Sequence, residues 1–363
     1  MAALKRTALY ALHLELAAKM TDFAAYTLPV HYADGIIKEH LHCRQQLGFF
    51  DISHMGQISL SGASVAQALE TLTPGNIQGL QPGQLRYAVL TRTNAGIIDD
   101  IMINRLDTCF MLTVNAACKA KVLTHLQTHL SSQCQLEILP NQALFAIQGP
   151  LAKQLMAQLS ATASTLSFMH SCTTRIEHMP CIISRCGYTG EDGFEISIDN
   201  QYAEPLARKL LAFAAIRPIG LGARDSLRLE AGLGLYGHEY DESISPVEAG
   251  LSWTFRKNAS HFPGAHIIHC QQQTGVSKRI AGLLIEQKAM IRADTPLYDD
   301  KGTPVGMVTS GGYSPCLKKT IALALIDAAY PQPSLIAKVR HRTLTAKITA
   351  LPFLPHRYHR GSV

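Results

Sequence analysis

Arg185-Cys186-Gly187-Tyr188-Thr189-Gly190-Glu191-Asp192-Gly193-Phe194-Glu195 is the stretch on which the reading of this chain turns. It sets three glycines between two strand-like apolar runs and places a carboxylate just inside the second run. Glycine at such positions lets the backbone take positive φ and come close to a ligand. Glu195 then belongs to a strand and not to the tip of a turn, which suits a group that must keep one geometry. Spacing alone leaves two readings open: a tight hairpin with a solvated acid, or a binding turn.

Working outward, helical spacing runs over Leu9–Met20 and Ile36–Leu47, the second ended by Gly48, with a loop at Asp22–Tyr32 broken by Pro29. Gln57–Ser61 alternates like a strand, and Arg86–Arg92 and Ile97–Leu106 read as a hairpin closed by Asn94-Ala95-Gly96. Phe110–Val114 reads as a strand before a helix that Asn115 is placed to cap, and Pro150 opens a helix after the strand-like Gln135–Leu139 and Leu144–Ile147. Tyr202–Ala215 and Ala223–Leu229 are helical. Short β-like runs then dominate, at Arg279–Ile285, Val305–Thr309, Ile321–Ile326, Leu335–Arg340 and Leu344–Thr349, and suit a small antiparallel barrel or sandwich. Strands and helices mix without βαβ alternation, so the class is α+β. Gln271–Gly275 is the expected linker.

With 363 residues, 47% apolar and 17% charged, the chain is expected to fold as two or three globular domains. No apolar run is long enough for a transmembrane helix, and no signal or transit peptide is evident, so a cytoplasmic protein with no membrane partner is expected. Nine scattered cysteines without a C-x-x-C read as reduced thiols. His266 and His269 lack a third ligand, and no metal is expected. The net charge of +6 matches the six basic residues, Lys338 to Arg360, that follow the last acid, Asp327. They form either a solvated basic edge or a surface for an anionic partner; nothing else points to nucleic acid.

Asp99 and Asp100 close an apolar run ahead of Ile101-Met102-Ile103. On a strand their side chains take opposite faces, so one of the two can look into a given pocket. Paired carboxylates in apolar surroundings suggest function, against the alternative of an acid pair facing solvent. His54 reads as a structural histidine satisfied by backbone groups, and Arg228, Asp225 and Glu230 read as a salt-bridge set. Gly232 to Gly237 fits G-x-G-x-x-G but lacks the strand–turn–helix setting that a dinucleotide site requires.

The glycine turn also resembles a signature of the aminomethyltransferase, or T-protein, family of the glycine cleavage system. Further blocks resemble that family in its order: Phe50 to Met55, Gly96 to Asp100, Leu144 to Pro150, Gly222 to Gly232, Leu235 to Glu239, and Ser314-Pro315 with Lys318-Lys319. The resemblance implies three domains in a ring around a central folate site: 1–54 plus 141–270 as a discontinuous folate-binding domain, 55–140 as an inserted α+β domain carrying Asp100, and 276–363 as a C-terminal antiparallel β-barrel-like domain. It implies transfer of a methylene carbon from an aminomethyl-lipoyl carrier protein (H-protein) to tetrahydrofolate, with release of ammonia. Asp100 would be catalytic. Glu195 would bind the pterin edge, Arg224 the pterin carbonyl or a folate carboxylate, and Tyr358, Asn115, Tyr188, Tyr87 and Met55 would contact or line the pocket. A folate-dependent demethylase and a non-catalytic folate-binding accessory protein are the alternatives. The chain departs from the family pattern at Ala25-Tyr26, where Gly-Trp is usual, at Ala95, where glycine is usual, and at Cys186, where threonine is frequent. The first two departures bear on pocket shape and turn geometry.

Overall fold

Met179–Arg185 and Gly193–Asp199 are antiparallel strands joined by the glycine turn, with Ser184 opposite Glu195. On its other side Gly193–Asp199 pairs with Gln142–Gln148, which puts Ala146 opposite Glu195. The acid therefore sits on an interior strand, held from both flanks. The computed structural model describes residues 3–130 and 132–361. Residues 1–2 and 362–363, the outer ends of the first and third expected domains, lie outside the described residues.

Among the described residues eleven strands form one sheet. From one edge the order is Ile216–Pro218, Leu47–Asp51, Gln142–Gln148, Gly193–Asp199, Met179–Arg185 and His170–Ile176. It continues with Gln84–Thr91, Ile97–Arg105, Phe110–Val114, Gly56–Ser61 and Gln135–Ile138. Glu195 lies in the first half and Asp100 in the second, and His170 with Gln84 is the register pair that joins the halves. Each half has its own apolar core. Phe49, Phe145, Ile147, Phe194 and Ile196 pack with the helix Asn200–Leu211 in one, and Leu60, Leu69, Ile103 and Leu112 pack with the helix Lys119–Leu130 in the other.

The C-terminal part is a closed barrel of six strands, as the short β-like runs suggested. Lys278–Ile285 closes it by pairing with both Lys319–Asp327 and Arg342–Thr349, which removes the free edges an open sheet would leave. Its core is separate, built on Leu283, Leu297, Ala324 and Leu344. The α+β class and the barrel both hold.

Several local expectations fail for identifiable reasons. The helix from Leu9 stops at Glu15, because Ala17 at φ 54 turns the chain into the strand Lys19–Phe23. Asp22–Tyr32 is not a loop: Tyr26–His31 pairs back on that strand through Ala24 and Ala25, both at positive φ. Primed hairpin turns need that geometry, but alanine does not advertise it. Leu47–Asp51 is a wholly buried strand, so Gly48 lies inside a strand and does not end the preceding helix, Gly35–Gln45. The Tyr202 helix ends at Leu211, and Ile216–Pro218 is an edge strand. Gln271–Thr274 is the last turn of the helix Ala265–Thr274, closed by Gly275 at φ 87, and is not a linker. Ala95 takes φ 66 and so keeps the turn geometry for which glycine is usual.

A candidate active site between two acids

The glycine turn is built around Gln148. A Cβ on Gly187 would fall 1.9 Å from the Gln148 side chain, so no larger residue fits without displacing it. Gln148 Nε2 donates to the Cys186 carbonyl at 3.0 Å, and the Thr189 hydroxyl donates to Gln148 Oε1 at 2.8 Å. Arg185 forks onto Asp192 across the base of the turn at 2.9 and 2.5 Å. Gly190 supplies the positive φ of 79°. Cys186 is buried against Glu195.

This fixed turn aims Tyr188 inward, where its hydroxyl donates to the Gly234 carbonyl at 2.6 Å. The Arg224 guanidinium lies over the Tyr188 ring, 4.9 Å from its centroid. Arg224 comes from the helix Leu221–Glu230 and is the charged group that acts on Glu195. Burial pushes the Glu195 carboxyl above its ordinary range and draws Arg224 below its own, each opposed by the other's charge. Arg224 Nη1 is buried and has no hydrogen-bond partner. A guanidinium nitrogen in that position is costly unless something accepts from it.

Asp100 stands on Ile97–Arg105, opposite Val89. Near it the Tyr87 and Tyr240 hydroxyls lie 3.1 Å from each other, and both bear on the Asp100 carboxyl. Asn115 Nδ2 donates to Asp100 Oδ1 at 2.7 Å and to Asp99 Oδ1 at 2.8 Å, and Asn115 N–H donates to Asp99 Oδ2 at 3.1 Å. Asn115 therefore clamps the two acids; its side chain makes no cap bond to the following helical turn, contrary to the expected capping role. Burial pushes the Asp100 carboxyl upward against these donors. Beyond burial, the Tyr188 phenol is influenced by the charges of Arg228, Asp100, Glu239 and Arg224. Glu195, Arg224, Tyr188, Tyr87, Asp100 and Asn115 are each half-buried, while Phe194, Ile196, Asp99 and Ile101 beside them are sealed. Solvent thus reaches inward at the polar side chains.

The other expected pocket residues sit at the margins. Met55 packs beside Ile52, Leu144 and Ala223, near the base of the Arg224 helix. Tyr358 reaches the rear of the turn because the C-terminal segment is strapped down by Arg357 N–H to Gly190 O at 2.8 Å. There its ring stacks on Phe168 at 4.1 Å, and burial pushes its phenol up to about 12. His54 is buried, but its Nδ1 has no partner, so backbone groups do not satisfy it. Burial, then the nearby Arg224 charge, lowers it to about 3 and keeps it neutral. Arg228 pairs with Asp225 at 2.9 Å and Glu239 at 3.0 Å. Glu230 is not in that set; it binds His40 at 2.9 Å and Arg44 at 3.1 Å. Sequence reasoning missed Tyr240 and Trp253, which stacks on Tyr87 at 5.5 Å, and Gln148 as the plug of the turn. Only the glycines packed around Gln148 left a trace of that plug in the sequence.

Two family models match the chain: the GCVT N-terminal domain over residues 9–259 and the glycine cleavage T-protein C-terminal barrel domain over residues 278–354. A relative named aminomethyltransferase, mitochondrial, from Homo sapiens is 40% identical, covering 98% of this chain and 91% of the relative. One of the same name from Dictyostelium discoideum is 36% identical, covering 98% and 94%. The solved structure of glycine cleavage system aminomethyltransferase T from Bartonella henselae matches with a TM-score of 0.94 at 36% identity, covering 98% of this chain and 99% of that one.

Proposed function

The chain belongs to the glycine cleavage T-protein family and is an aminomethyltransferase, and we propose that Glu195, Arg224 and Asp100 are its working centre. In this reading the co-substrate is tetrahydrofolate, and the one-carbon unit arrives as an aminomethyl group on a lipoylated carrier protein. Tetrahydrofolate supplies the amine that takes up the methylene carbon, and ammonia and the carrier's dihydrolipoyl thiol leave as the C–N and C–S bonds break. The remaining tasks, gripping, orienting and holding a proton, fall to the chain.

The observation that carries the proposal is the unpartnered Arg224 Nη1 beside the half-buried Glu195 carboxylate. A reduced pterin presents two parallel N–H donors next to a carbonyl. Glu195 accepts both donors, and Arg224 Nη1 gains the acceptor it lacks. Tyr188 lies under the Arg224 guanidinium on the side of this grip. Asp100, pinned by Asn115, then accepts a hydrogen bond from the folate amine that must lose a proton. Holding the reactants in one cleft is the larger part of the acceleration. Met55 and Tyr358 complete the walls.

Three lobes follow as a working division: 1–54 with 141–270, 55–140, and 276–363. Among the described residues no helix is long and apolar enough to cross a membrane, and the nine cysteines are free. Both features suit a reducing compartment, which we take to be the cytoplasm, although the curated relatives cited carry the name mitochondrial. The test mixes purified protein with aminomethyl-loaded carrier and measures ammonia with and without tetrahydrofolate. Stimulated release supports the reading; release that ignores the pterin contradicts it.

A further inference from the structure

Adjacent strand residues normally part company, yet Asp99 and Asp100 meet at one nitrogen. Asn115 follows the strand Phe110–Val114, and its side-chain amide reaches Asp99 Oδ1 at 2.8 Å and Asp100 Oδ1 at 2.7 Å. An amide nitrogen carries two hydrogens, so one goes to each carboxyl and both are used. Asp99 is fully sealed from solvent, whereas Asp100 beside it is half-buried. Among the described residues neither acid has an ion-pair partner. Lys121, which bears on Cys118, is engaged by Tyr236 and by Glu242 at 3.3 Å. Cys118 and Lys121 from the helical segment, with Tyr236, complete the Asp99 side. On the other side Asp100 meets Tyr87 from the neighbouring strand, together with Tyr240 and Tyr188.

Two carboxylates this close, without a cation, do not both ionise near neutrality. We propose that Asp99 is a positioning residue for this site, holding the one proton of the pair beside the Asn115 clamp and so leaving Asp100 ionised and free to accept from substrate. Burial, then the neighbouring Asp100 charge, pushes Asp99 up to about 7, which agrees with a proton held there in neutral solution. Asp99 touches no substrate and keeps the pair's one proton throughout. The proposal rests on the role given to Asp100 above.

Asp99→Asn keeps the shape and copies the protonated, uncharged carboxyl. The acid limb of its kcat–pH profile should stay within about half a unit of wild type, the wild-type inflection near neutral pH should disappear, and the Kd for tetrahydrofolate should stay within about threefold. An acid limb that moves to lower pH by a unit or more, as loss of a charged Asp99 would cause, overturns the proposal. A second measurement needs no active variant: infrared titration of the intact wild-type chain without folate. Asp99→Asn should remove the protonated-carboxyl band near neutral pH, whereas Asp100→Asn should shift its titration to lower pH. Absence of that band overturns the proton on Asp99, whatever the turnover. If the band is present and ammonia release still ignores tetrahydrofolate, the proton on Asp99 is supported and the functional reading fails instead.

Discussion

Replacing Glu195 by glutamine tests the grip on the pterin without emptying the site. The substitution keeps the volume on an interior strand fixed by Ser184 and Ala146, so the backbone has no reason to move. What changes is the chemistry. A carboxylate accepts at both oxygens, whereas an amide accepts at one and turns a donor toward either Arg224 or the ligand's own N–H. One charge-assisted bond becomes a neutral one and the other becomes a donor–donor contact. With hydrogen bonds to charged groups worth about 1.5–3 kcal/mol each, the net loss is about 2–4 kcal/mol, or roughly 30- to 700-fold in affinity. The readout is internal: Trp253, the single tryptophan, stacks on Tyr87, so its fluorescence should report folate occupancy. Thermal melting is the control. Burial disfavours the charged Glu195 carboxyl, but the same charge supports the buried Arg224, so Glu195→Gln should melt within a few degrees of wild type. A Kd within about threefold of wild type, in a protein of unchanged melting temperature, would refute the reasoning.

Three further outcomes follow from the packing. Arg228→Met strands the sealed Glu239 without its cation and should cost about 3–5 kcal/mol in chemical denaturation, with Glu239→Gln in the same chain restoring part of the loss. Glu230 is raised by burial but pulled down further by His40, Ser314 and Arg44, to about 2 from an ordinary 4.5. Its contribution is therefore complete above about pH 4.5 and lost as pH falls toward 2, roughly 3 kcal/mol in all, and Glu230→Gln should flatten that part of the stability–pH curve. Gly187→Ala drives a methyl into Gln148 and should destabilise by about 1–3 kcal/mol, while pairing it with Gln148→Ala should recover part of the loss in a melting experiment.

Much of this architecture was written in local chemistry. The glycine turn, the Asn94–Gly96 hairpin and the C-terminal strands carry period and turn residues that need no tertiary context. The parts that were not legible depend on residues acting out of type. Ala24 and Ala25 adopt a conformation usually assigned to asparagine or glycine, and Leu47–Asp51 is buried on both faces and shows no alternation. Within the site, Glu195 stood out by residue type and position, while Asp100 and Arg224 were singled out from Asp99 and Arg228 by the resemblance. The connection between them did not stand out, because Tyr188 is aimed by a plug, Gln148, from another strand. Asn115 looked like a helix cap, and its hydrogen bonds to two acids arise only once the neighbouring strands are in register.

The central claim is a division of labour, with one acid holding the pterin and the other preparing its amine. It is tested most directly by Asp100→Asn, measured in parallel for tetrahydrofolate affinity and for ammonia release in a single turnover with loaded carrier. The account predicts an affinity close to wild type and release slowed to the rate seen without folate. Undiminished release, or affinity lost together with release, would contradict it.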